Sequence, residues 1–81
     1  MIAIEDLQLA AALLRESSLS AAARALDVTP PALSMRLRRL EAELGLSLAN
    51  RSARRLALTP EGERFAREAV RLLGQIEELR D

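Results

Sequence analysis

The sequence contains no cysteine, no histidine and no lysine, and its single aromatic residue is Phe65. Without thiols there are no disulfides, thiolate metal sites or sulfur nucleophiles. Without imidazole there is no histidine base and no zinc site of the usual kind. The absence of lysine removes Schiff-base chemistry and the phosphate-cradling lysine of nucleotide-binding loops. A catalyst would have to run on carboxylates, arginine and hydroxyls. The paired acids Glu41 and Glu43 stand at i,i+2, point to different sides of a helix and cannot share a site. The chain reads as a binding module rather than an enzyme, with no metal and no cofactor. No apolar run approaches the roughly 18 residues that a membrane span needs. The opening Met1-Ile2-Ala3-Ile4-Glu5-Asp6 is acidic where a signal peptide would be basic, so a cytoplasmic protein is expected.

What is present points to helices. The chain has 81 residues, enough for one small domain, and 49% of them are hydrophobic. Leucine and alanine dominate that fraction, and both favour helix over strand. A compact helical domain is expected on this composition rather than an all-β sandwich or barrel. A domain of this size buries only about 60–65% of its unfolded surface, which makes oligomerisation a natural supplement to its stability.

The formal net charge is zero, but it is unevenly spread. Residues 1–27 hold two arginines against four acids, for −2, and residues 59–81 hold four against six, again −2. Between them, residues 28–58 hold Arg36, Arg38, Arg39, Arg51, Arg54 and Arg55 against Glu41 and Glu43, for +4. A basic island between acidic flanks suits a polyanionic partner. Ordinary solvated helix charge would look the same from composition alone.

Apolar residues at Ile4, Leu7, Ala11 and Leu14 give a helix over about Asp6 to Arg15, with Asp6 as its N-cap and Ser17-Ser18 ending it. Ser20 is expected to cap a short, buried helix from Ala21 to Leu26, and Asp27-Val28 forms a turn. Thr29 caps the third helix, whose first positions, Pro30 and Pro31, need no amide hydrogen there. That helix ends at Leu44 on Gly45. Leu33, Leu37, Leu40 and Leu44 form its apolar side, and Pro31, Ser34, Met35, Arg38 and Ala42 lie opposite. Arg39 has Glu43 at i,i+4 as an available partner. Leu46, Leu48, Leu56 and Leu58 bracket a basic stretch and fit a two-stranded hairpin.

Thr59-Pro60-Glu61 starts the last helix, which runs to the end of the chain. Phe65, Ala69, Leu72, Ile76 and Leu79 follow a 4-3-4-3 spacing, a two-heptad seam suited to dimerisation. The same seam could instead pack on its own domain. Arg64 and Glu68 form an i,i+4 pair on the exposed side. Nothing caps this helix before Asp81, as expected of a chain cut within or just after it.

The segment Ser20–Gly45, with Pro31-Ala32-Leu33-Ser34 and Arg38-Arg39-Leu40-Glu41, resembles the amino-terminal domain of LysR-type transcriptional regulators. The similarity continues through Leu48, Arg51 and Leu58-Thr59-Pro60-Glu61-Gly62 and spans nearly the whole chain. It implies a mainly α fold: a winged helix-turn-helix over residues 1–58, with a three-helix core and a short two-stranded wing. A linker helix for dimerisation follows at 59–81. It further implies a sequence-specific DNA-binding domain, with helix 30–44 in the major groove and wing 51–55 at the minor groove of a palindrome-like operator. The DNA-contacting residues carried over are Thr29, Pro30, Pro31, Ser34, Met35, Arg38, Arg51, Arg54 and Arg55. Family members dimerise through the linker helix and form tetramers at full length, and their effector-binding domain is absent from this chain. The amino-terminus of the reading helix is expected to present amides to phosphate.

The sequence departs from the family pattern at several places. Pro30 stands where many members carry Gln, and Met35 where Arg is common. Ala10 and Ala49 occupy positions often held by Phe, which leaves a less aromatic and more closely drawn core. With fewer polar readers, weight shifts to a thymine-methyl contact by Met35 and to DNA shape. The competing class is a protein-interaction module that dimerises through its terminal helix, whose binding would be insensitive to salt.

Overall fold

A computed structural model describes residues 1–50 and 56–80. Among the described residues there are four helices, α1 (Ile4–Arg15), α2 (Leu19–Ala25), α3 (Pro30–Leu44) and α4 (Pro60–Arg80), and a two-stranded sheet of β1 (Ala49–Asn50) and β2 (Ala57–Leu58) whose outer residues are exposed. The strands pair antiparallel, Ala49 opposite Leu58 and Asn50 opposite Ala57. Each strand is only two residues long, shorter than the leucine bracket suggests, and Leu46 stays outside on the surface. No helix among the described residues is long and apolar enough to cross a membrane.

Two helices begin earlier than their serine and aspartate patterns predict. The N-cap of α1 is Ala3, and Asp6 sits in the first turn, where its carboxylate accepts the Ala3 N–H at 2.8 Å. The carboxylate thus satisfies an end amide by reaching back rather than by capping forward. The N-cap of α2 is Ser18, whose hydroxyl accepts the Ala21 N–H at 3.0 Å, while Ser20 is exposed inside the helix. Starting at Ser18 turns Leu19 onto the core, which a start at Ser20 would forgo. The end of α2 is a paired-amide stop. Val28 N–H bonds the Ala23 carbonyl and Asp27 N–H that of Arg24, with Asp27 in the left-handed region at φ 58°. Aspartate tolerates that conformation better than most side chains.

The main core gathers Leu9 and Leu13 of α1, Leu33, Leu37 and Leu40 of α3, and Leu48, with the small Ala12, Ala22, Ala23 and Ala49 between them. A second cluster joins Ala10 of α1 to Ala66 and Ala69 of α4, flanked by Leu7 and Leu14. Helix α1 is therefore covered on two sides, and the Ile4-Leu7-Ala11-Leu14 stripe marks only the side toward α4. Phe65 is half-buried against both clusters. Ala10 and Ala49 are each 2% exposed, so both positions face the interior as small residues.

The start of α4 is pinned to the segment before β1. Thr59 Oγ1 accepts the Gly62 N–H at 2.9 Å and donates to the Ser47 carbonyl at 2.6 Å, and Thr59 N–H bonds the Leu48 carbonyl at 3.0 Å. Gly62 is buried at this crossing, where a β-carbon would lie 1.9 Å from the Leu48 carbonyl oxygen. Only glycine fits.

Candidate nucleic-acid interface

The solvent side of α3 is set by its opposite side. Leu33, Leu37 and Leu40 are at most 1% exposed, which fixes the helix's rotation about its axis. Pro31, Met35, Arg38 and Ala42 then face outward, and Ser34 is partly exposed among them. Met35 is 64% exposed, unusual for a large apolar side chain. Arg38 is exposed and makes no ion pair among the described residues.

Arg36 and Arg39 are turned elsewhere. Both line a shallow groove with Ala3, Glu5, Asp6 and Glu43, beside the acidic start of α1. Glu43 pairs with the terminal ammonium of Met1 and not with Arg39. The arginine of α3 on the same outward side as Pro31 and Met35 is Arg38.

The amino-terminus of α3 does not present amides. Pro30 and Pro31 have no N–H, the Ala32 N–H is held by Thr29 Oγ1 at 3.2 Å, and the Leu33 N–H by the Thr29 carbonyl at 3.0 Å. The expectation that backbone amides of this first turn hold a phosphate is corrected: between residues 30 and 33 the amides are either missing or already bonded to Thr29. Thr29 itself is exposed, and its hydroxyl hydrogen remains available.

At the far end of α3, Gly45 adopts φ +70° and releases the chain toward β1. Here Glu41 has a role that its sequence position does not announce. Its carboxylate accepts the Leu48 N–H at 2.7 Å, the Ala49 N–H at 3.4 Å and the Ser47 hydroxyl at 3.4 Å. One half-buried carboxylate thereby fastens the start of β1 to α3. Leu56 N–H adds a bond to the Ser17 carbonyl at 3.3 Å. Arg51, Arg54 and Arg55 lie outside the described residues.

On α4 the buried positions are Gly62, Ala66 and Ala69, small residues that let it lie close on α1. Ala69 and much of Phe65 are thus taken up within the chain. Leu72 and Ile76 are half-buried, and Leu79 is 87% exposed. Ile76 and Leu73 line an open groove of about 600 Å3 with Ile4, Ala12 and Leu26. Glu68 pairs with Arg71 rather than Arg64, and the guanidinium holds its carboxyl below the ordinary value.

Residues 4–63 match the model of bacterial regulatory helix-turn-helix proteins of the lysR family. The chain is similar to the HTH-type transcriptional regulator PtxR of Pseudomonas aeruginosa, 44% identical over 66 residues that cover 82% of this chain and 21% of that protein. It is also similar to the HTH-type transcriptional activator TtdR of Escherichia coli, 40% identical over 77 residues, 95% of this chain and 25% of that protein. The chain therefore spans a fifth to a quarter of the length of these relatives. Among solved structures, the crystal structure of the BenM_DBD/benA site 1 DNA complex superposes with a TM-score of 0.90 at 33% identity. That match covers 96% of this chain and 88% of that one.

Proposed function

Because this chain belongs to the lysR family of bacterial regulatory helix-turn-helix proteins, we propose that it binds duplex DNA with α3 in the major groove. The observation that carries this is the outward side of α3: Pro31, Met35 and Arg38 stand in solvent, with Ser34 partly exposed among them, on a helix whose rotation the leucine core fixes. Thr29, Pro30, Pro31, Ser34, Met35 and Arg38 are the contacting residues on this helix. Arg51, Arg54 and Arg55 serve the minor groove from the wing. Residues 1–58 act as the reading unit and 59–81 as the linker helix of a cytoplasmic transcriptional regulator, tetrameric at full length.

Arg38→Ala should weaken binding to all duplex sequences alike and lower the salt slope of log affinity by about 0.9, one phosphate contact. Arg38 is exposed, so the fold should be unaffected. An unchanged slope would remove Arg38 from the interface.

Two copies pair through α4, by Leu72, Ile76 and Leu79, with Phe65 and Ala69 behind them. Pairing sets two reading helices about one DNA turn (~34 Å) apart, or a multiple of it, on a palindrome-like operator. Leu79→Glu should shift the chain toward monomer in sedimentation equilibrium and, at concentrations where the wild type is itself monomeric, leave the melting temperature unchanged, since Leu79 is 87% exposed in the single chain. A wild-type chain that is monomeric at every concentration would contradict pairing through α4.

A further inference from the structure

We infer that α3 distinguishes bases chiefly by apolar contact, with Met35 packing on the C5-methyl group of a thymine in each half-site. This inference rests on the proposed DNA-binding reading and specifies its chemistry. Donors at the leading end of the helix are scarce. Pro30 and Pro31 carry no N–H, and the amides of Ala32 and Leu33 are both bonded to Thr29. On the outward side of the first two turns, the side-chain donors are the Thr29 and Ser34 hydroxyls. The first guanidinium on that side belongs to Arg38, and Arg36 lines the groove beside Glu5 and Asp6.

The same stretch is rich in exposed apolar surface. The rings of Pro30 and Pro31 are exposed, and Met35, one turn beyond Pro31, is 64% exposed. The major groove offers one prominent apolar group, the thymine methyl, and it distinguishes T·A from the other pairs. A flexible thioether side chain conforms to such a group without needing a fixed hydrogen-bond geometry. A helix with few donors and an outward methionine is built to detect that methyl.

The test uses deoxyuridine, which keeps every hydrogen-bonding group of thymidine and lacks only the methyl. The preferred duplex is first selected from random sequence, and each symmetry-related thymine pair is then replaced by deoxyuridine. One pair should weaken wild-type binding by about fourfold per half-site, the loss expected for one buried methyl. The penalty at that pair should vanish in Met35→Ala, which folds normally because the side chain is exposed. Placing 5-methylcytosine instead of cytosine at that position should recover part of the affinity.

Specific binding that survives every thymidine-to-deoxyuridine exchange within twofold would overturn the inference while leaving the DNA-binding reading intact. A deoxyuridine penalty that persists in Met35→Ala would overturn the role of Met35. Absence of any salt-dependent duplex binding would overturn the underlying reading, and this inference with it.

Discussion

Gly62→Ala should cost the domain about 3 kcal/mol or more, roughly half or more of the stability expected at this size. The added β-carbon would sit 1.9 Å from the Leu48 carbonyl oxygen, 2.8 Å from its carbonyl carbon and 3.0 Å from its Cα. All three are backbone atoms, so no flexible side chain can swing away. Overpacking alone typically costs about 1–3 kcal/mol, and a backbone collision of this depth stands at or beyond the upper end. On helix propensity the same substitution would gain up to about 1 kcal/mol, so the sign itself is diagnostic. Gly74 supplies the control. It lies in the same helix with nothing within 4 Å of a β-carbon, and Gly74→Ala should stabilise the chain or leave it unchanged. Urea denaturation of the two variants checks the pair. An unchanged midpoint for Gly62→Ala would mean that α4 does not cross Leu48 as described. The crossing matters for function because Leu48 leads directly into β1, so α4, the base of the wing and α3 are fixed relative to one another.

Leu37→Ala should destabilise by about 2–5 kcal/mol, the range for a fully enclosed leucine. Leu37 is 0% exposed and is flanked in the core by Leu33 and Leu40. A domain of this size has a total stability toward the low end of about 5–15 kcal/mol. The melting temperature should fall by roughly 10 °C or more, since about 1 kcal/mol corresponds to 4–8 °C at this length. Below its new midpoint the variant should bind DNA nearly as well as the wild type, because Leu37 faces away from the groove. Arg38→Ala should behave in the opposite way, with normal melting and weaker binding. If Leu37→Ala melted normally but failed to bind, the assignment of the two sides of α3 would be wrong.

Helix α3 was legible because its signals are local and redundant. Thr29, Pro30 and Pro31 mark its start, Gly45 its end, and four leucines its buried side, all within sixteen residues of one another. The start of α4 was legible for the same reason, and Thr59 does cap it. Starts that depend on tertiary packing were not. Ser18 and Ser20 are equivalent as caps by type, and the choice between them is made by Leu19 reaching the core. A single stripe on α1 was visible, but the helix is covered on two sides, and counting one apolar side per helix hides that.

The site divides in the same manner. The outward positions Pro31, Ser34, Met35 and Arg38 follow from helix periodicity. The lack of amide donors follows locally as well, from two prolines and a Thr29 cap, although the family pattern pointed the other way. Glu41 was hidden: its partners Ser47, Leu48 and Ala49 lie beyond a glycine turn whose path periodicity cannot trace. On α4 the 4-3-4-3 spacing was visible, but not that Ala66 and Ala69 draw the helix onto α1 and leave Leu79 outside.

The central claim, that this chain is a DNA-reading domain, is tested most directly by titrating selected and random duplexes with the purified chain at about 50 mM and about 200 mM salt. Affinity should fall by about a hundredfold or more across that interval, as expected for about four phosphate contacts, and a two-fold-symmetric duplex should bind more tightly than random sequence. Binding that is indifferent to salt, or no duplex binding at the lower concentration, would contradict the account.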